Sequence, residues 1–203
     1  MEVIVADHAG TCYGVSNAIR LAFEGAGKHK DISILGDLVH NPHVTERLAD
    51  AGVKRISHVS EASPGSALII RAHGEPEDVF DFCKRNSIKV IDCTCPHVRR
   101  VQELAETLSG QGYKVVVVGD NGHPEVAGIL ARTKGAVVVP NPDEIQSELE
   151  SFDRIGIVAQ TTQENSNFNR IVSILDTPGR HLSVHNTICT ATKNRQESAQ
   201  GMS

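Results

Sequence analysis

The chain has 203 residues, of which 39% are hydrophobic and 22% charged, so wholesale disorder is excluded and there is enough length for one large domain or two small ones. A net charge of −5, a pI near 6.0, 3% aromatics and no Trp exclude a general nucleic-acid binder, which needs basic stripes for phosphates and rings for stacking. No apolar run, 115–118 included, exceeds four residues, too short to span a bilayer, and residues 1–10 have no basic leader region, so a cytoplasmic α/β protein with no membrane or nucleic-acid partner is expected.

Short β-branched runs alternate with segments of helical period. Strands are predicted at 2–6, 32–35, 67–70, 89–91, 114–118, 136–139 and 154–158. Between them, helices are predicted at 15–23, 44–51, 77–84, 98–109, 125–132, 143–149 and 168–175. This alternation predicts parallel sheets flanked by helices, with the chemistry in the loops that follow the strands.

An internal repeat organises these elements. VIVADHAGTCYGV around Cys12 and KVIDCTCPHV around Cys95 share the order strand, Thr, Cys, helix, 83 residues apart. ILGDLVHNPHV places His40 28 residues after Cys12, and VVGDNGHPEV places His123 28 residues after Cys95. A third marker follows each: RAHG with His73, and AQTT with Thr161. Three markers in the same order predict a duplicated lobe. A third copy begins at NTICTATKNRQESA, with Cys189 94 residues after Cys95. At that rhythm a third lobe needs roughly 80–90 more residues, so a C-terminally truncated three-lobed protein is expected, with lobe one at 13–94, lobe two at 95–188 and the start of lobe three at 189–203.

Five cysteines without a CxxC do not read as a disulfide framework or a zinc ribbon. Around a pseudo-threefold axis, however, three equivalent lobes would bring Cys12, Cys95 and Cys189 together, and three thiolates suit an iron–sulfur cluster or zinc with one open metal position. Cys83, among Val79, Phe80 and Phe82, reads as core, and Cys93 matches Gly10 and Thr187 in the other repeats, so neither has a symmetric ligand role. His40, His73 and His123 can donate to an anion, Glu125 can deliver a proton, and Thr161 offers a hydroxyl. The other histidines have no repeat partner. Three readings stay open at this level: a catalytic thiolate–metal site, a non-catalytic Fe–S or zinc thiolate-binding two-lobe module, and a zinc hydrolase using His and Glu.

HAGTCYGV, LVHNPHV, RAHG, DCTCPHV, GHPEVAG, AQTT and TICTATKNRQESA together resemble the 4-hydroxy-3-methylbut-2-enyl diphosphate reductases of the non-mevalonate isoprenoid pathway, in order and over the whole chain. The resemblance implies a trefoil of α/β lobes around a 4Fe–4S cluster. It also implies reductive removal of the hydroxyl of a small diphosphate substrate, giving isopentenyl and dimethylallyl diphosphate, with electrons from ferredoxin or flavodoxin. By motif it implies Cys12, Cys95 and Cys189 as cluster ligands and His40, His73 and His123 as substrate-binding residues. Thr161 would lie near the substrate hydroxyl and Glu125 would be catalytic, in the proton relay. Residues 1–12 would belong with the third lobe, whose diphosphate-binding Ser/Asn cluster has no counterpart here, so the 203 residues alone are expected to form an incomplete enzyme. Thr11 departs from the family pattern, which often has an aromatic there.

Overall fold

The computed structural model describes residues 5–201. Most of the predicted strand 2–6 lies outside the described residues, and Val5 and Ala6 are not in a strand. The chain divides into two compact units, Tyr13–Arg99 and Met1–Cys12 with Arg100–Ser203.

In the unit Tyr13–Arg99, α1 (Tyr13–Lys28) leads into β1 (Ile32–Leu35), α2 (Pro42–Asp50), β2 (Lys54–Ile56), β3 (Ala67–Ile70), α3 (Glu77–Arg85) and β4 (Lys89–Asp92). All four strands are parallel, in the order β2-β1-β3-β4. Because strand side chains alternate faces, Ile32, Ile34, Ala67 and Ile69 pack with α1 and α2, whereas Leu35, Leu68 and Ile70 pack with α3. Helix α1 approaches the sheet through a stripe of small buried residues, Gly14, Ala18, Ala22 and Gly25. A Cβ at Gly25 would stand 2.5 Å from Ile91 Cδ1, so glycine permits the close helix–sheet contact.

Helix α4 (Pro96–Gly110) carries the division between the units. After it come β5 (Lys114–Val118), α5 (Pro124–Leu130), β6 (Val137–Val139), β7 (Arg154–Ala159), α6 (Asn165–Leu175), β8 (His181–Val184) and α7 (Thr190–Gln200). These strands are again parallel, in the order β6-β5-β7-β8, the same topology as the first sheet. Val116, Val118, Ile155, Ile157 and Ala159 face α6, and Val115, Val117 and Val158 face α4 and α5. Two parallel-sheet α/β lobes of one topology are what a duplicated sequence should produce.

Three local readings are corrected. Residues 143–149 form no α-helix but two 3-10 turns, Pro142–Glu144 and Ser147–Ser151. The first is opened by Asn141, whose side chain accepts from Asp143 N–H, and it stops at Ile145 in extended conformation. Strand β2 has no apolar alternation because Lys54 and Arg55 are exposed on an edge strand and only Ile56 is buried. Strand β7 runs to Ala159 rather than 158, which shifts the third repeat marker by one residue.

Phe168 on α6 is 2% exposed and fills the second core with Ile171 and Leu175. Phe168→Ala should cost about 3–5 kcal/mol, as deletion of a buried ring does elsewhere. Urea unfolding followed by circular dichroism measures it, and an unchanged transition contradicts this packing.

Candidate functional site

The three cysteines of the repeat occupy one local position. Cys12, Cys95 and Cys189 each stand immediately before a helix, α1, α4 and α7, and each is partly buried. Two of them are anchored identically. Cys95 N–H donates to Ala72 O at 3.0 Å, and Cys189 N–H donates to Thr161 O at 2.9 Å. Ala72 and Thr161 are each the second residue beyond a central strand, β3 and β7. Thr161 therefore corresponds to Ala72, and His73 to Thr162: the repeat partner of His73 is not Thr161, because β7 extends one residue further than its sequence suggests.

Cys83 and Cys93 differ in kind. They are 0% and 2% exposed. Burial raises the Cys83 thiol pKa, while burial and then the neighbouring Asp92 charge push that of Cys93 up to about 12. Both remain thiols at neutral pH, in core positions.

Around Cys189 the unit builds a continuous polar chain. Thr161, whose carbonyl holds Cys189, donates its backbone N–H to Glu125 Oε1 at 2.7 Å and its hydroxyl to Glu125 Oε2 at 2.8 Å. Glu125 in turn donates its backbone N–H to His123 Nδ1 at 3.1 Å, which makes His123 the cap of α5, with Pro124 in the first turn. When its Nδ1 accepts, a neutral imidazole carries its proton on Nε2, as a donor. Glu125 is 1% exposed. Its burial raises its pKa above the ordinary 4.5, and the two Thr161 hydrogen bonds oppose this only in part.

Gln160, a buried residue that the sequence reading did not single out, shapes the neighbouring turn. Its Oε1 accepts from Asp120 N–H at 2.9 Å and its Nε2 donates to Thr162 Oγ1 at 2.7 Å. A Cβ at Gly119 would lie 3.0 Å from that same oxygen, which accounts for glycine in the Gly-Asp pair. Only its place in AQTT, beside Thr161, could have drawn attention to it.

In the other unit the rings of His40 and His73 lie 4.6 Å apart, tilted by 40°. His40 precedes α2, whose cap is supplied by Asn41 through a 3.0 Å bond from His43 N–H. The capping task that His123 performs in one lobe thus falls to Asn41 in the other.

The LytB protein family model matches residues 3–203. The chain belongs to the LytB family. A LytB relative in Geobacter sp. (strain M21), named 4-hydroxy-3-methylbut-2-enyl diphosphate reductase, is 42% identical over 200 residues, spanning 98% of this chain and 71% of the relative. The relative of that name in Caldanaerobacter subterraneus is 37% identical, over 100% of this chain and 72% of its own. A solved structure of this reductase, described as the terminal enzyme of the non-mevalonate pathway, aligns with TM-score 0.84 at 39% identity, covering 98% of this chain and 72% of that one. The reductase structure from Plasmodium falciparum aligns with TM-score 0.86 at 28% identity, over 95% of this chain and 62% of that one.

Among LytB-fold features here, the donor set fits a thiolate-ligated cluster. Three soft sulfur donors each open a helix, whose N-terminal end is electropositive and favours a thiolate. Among the described residues, no helix is long and apolar enough to cross a membrane.

The Glu125–Thr161 geometry fixes a sign. The folded carboxyl holds its proton to higher pH than the unfolded one, so its contribution to stability is complete below about 4.5 and is lost as pH rises through the folded value. Thr161→Val removes a donor that favours the carboxylate and should move the Glu125 titration to still higher pH. Difference infrared spectroscopy against Glu125→Gln reads this band; an unchanged or lower titration contradicts the pairing.

Proposed function

We propose that this chain provides the cluster-binding and acid-donating parts of a 4-hydroxy-3-methylbut-2-enyl diphosphate reductase, the activity its relatives are named for. The observation that carries the reading is the buried carboxyl of Glu125, bonded through both oxygens to Thr161 and joined by Thr161 O to Cys189. Cys12, Cys95 and Cys189 would hold a 4Fe–4S cluster. Bound there, the cluster supplies a Lewis-acidic iron for the substrate oxygen and electrons for the allylic C–O bond. A ferredoxin or flavodoxin is the class of carrier that would deliver them. Arg195 donates to Gly10 O at 2.7 Å, a link across 185 residues that supports grouping residues 1–12 with 189–203 in one lobe.

The protein's own groups have separate tasks. Burial disfavours the Glu125 anion and raises its pKa, which favours a role as proton donor, and Thr161 links it to the site through a hydroxyl that can accept one proton as it gives up another. The proton reaches the substrate oxygen, which leaves as water rather than hydroxide. His123, whose Nδ1 is taken by Glu125 N–H, and the His40–His73 pair would supply ring N–H donors for the diphosphate oxygens, where charge-assisted hydrogen bonds are strong. Holding the diphosphate fixes the position of the allylic end.

Anaerobic turnover with reduced methyl viologen tests the proton donor, in a protein that joins residues 1–203 to the remaining part of a relative's chain. Glu125→Gln should retain substrate affinity and lose about 10²–10⁴-fold in rate. His40→Ala should chiefly weaken substrate binding. Near-normal turnover by Glu125→Gln would refute the donor role.

A further inference from the structure

The turn after β3 carries His73, and an ion pair that spans the histidine braces it. Arg71 Nε stands 2.5 Å from Glu75 Oε1, with Arg71 22% and Glu75 5% exposed. The turn is closed by Gly74 N–H donating to Arg71 O at 3.0 Å, with Gly74 at φ +75°. One residue from Arg71, Ala72 N–H donates to Leu38 O at 3.0 Å, which ties this turn to the one ending at His40. Arg71 also reaches the beginning of that second turn. A Cβ at Gly36 would be 3.1 Å from Arg71 Nη1, and Gly36 adopts φ +71°. Arg71 therefore lies beside the start of the turn that leads to His40 and is paired with the end of the turn that holds His73.

A buried carboxylate is costly, and burial together with Asp78 pushes Glu75 toward its neutral form while Arg71 opposes them. Replacing a buried ion pair by apolar side chains of similar volume is often neutral or stabilising, so stability alone does not account for the pair. What the ion pair adds is a tie across the turn: the Nε–Oε1 contact holds Arg71 and Glu75 together from either side of His73, which an apolar contact between the same positions would do without charge selectivity.

We propose that Arg71 and Glu75 are positioning residues, whose ion pair locks the two histidine-bearing turns together and sets the orientation of His40 and His73 toward a diphosphate. The ligand class rests on the functional reading above, whereas the bracing is measurable without any ligand.

Histidine-ring signals in heteronuclear NMR of the 203-residue chain provide the test, first without ligand and then with inorganic diphosphate. Glu75→Gln should displace the ring signals of His40 and His73 and leave those of His58 and His181 in place. It should also weaken inorganic diphosphate binding about tenfold, within the range for residues coupled in one network. Arg71→Lys, which keeps the charge but not the Nε contact, should move the same two signals by less, and it serves if Glu75→Gln does not fold. In a His73→Ala background, Glu75→Gln should cost less than about tenfold, since only the part of its effect that acts through His40 is left when the His73 ring is gone. Unmoved His40 and His73 signals overturn the proposal, as does an undiminished tenfold loss in the His73→Ala background. A wild-type chain that ignores diphosphate while the variants still displace the two rings refutes the ligand class and upholds the bracing.

Discussion

A single backbone hydrogen bond sets the frame for the site: the N–H of a cysteine donating to the carbonyl of the second residue past a central parallel strand. It occurs at Cys95 with Ala72 and at Cys189 with Thr161, at 3.0 and 2.9 Å. The bond fixes where each helix begins relative to its sheet, so the sulfur sits at the carboxyl end of the strands, where open α/β sheets place their ligands. In the second lobe the same carbonyl belongs to the residue that holds the acid. Thr161 gives its C=O to Cys189, and its N–H and hydroxyl to Glu125, whose own N–H is taken by His123. The Cys189 backbone N–H, the Glu125 carboxyl and the His123 imidazole are thus linked through Thr161 and Glu125, and displacing Thr161 would disturb this whole run of bonds.

The two lobes divide the chemistry unequally on one topology. At the position of Thr161 the first lobe has Ala72, which can anchor a cysteine but has no side chain for proton transfer. Where the second lobe has Gln160 ordering the Gly-Asp turn, the first has Arg71 paired with Glu75. The backbone anchors are shared, and the side chains around them differ: Thr161 is bonded to a buried carboxyl in one lobe, and Arg71 is paired with Glu75 in the other.

How much of this was legible in the sequence follows from which residue types carry it. Cys, His and Gly-Asp pairs at equal spacing are conspicuous, so the duplicated lobes, the three helix-opening cysteines and the histidine turns could be read directly. Pairings across the fold could not. Glu125 and Thr161 are 36 residues apart, and nothing in GHPEV or AQTT says that both carboxylate oxygens find one threonine. The correspondence of Thr161 with His73 failed by one position because a buried strand's end is set by its ladder, not its composition: Val118 pairs with Ala159 and carries β7 one residue on. Edge strand β2 escaped because Lys54 and Arg55 face solvent, and RAHGEP reads as an ordinary turn until Arg71 and Glu75 are seen to bridge it.

The central claim is that Cys12, Cys95 and Cys189, and not the buried Cys83 and Cys93, are the metal-binding cysteines. The most direct measurement is iron and acid-labile sulfide per chain after anaerobic reconstitution, with Mössbauer spectra, for each of the five Cys→Ser variants. The account predicts that serine at 12, 95 or 189 strips or degrades a 4Fe–4S signal that the Cys83→Ser and Cys93→Ser variants retain. A cluster that survives loss of Cys95 or Cys189 but is lost with Cys93 would contradict it.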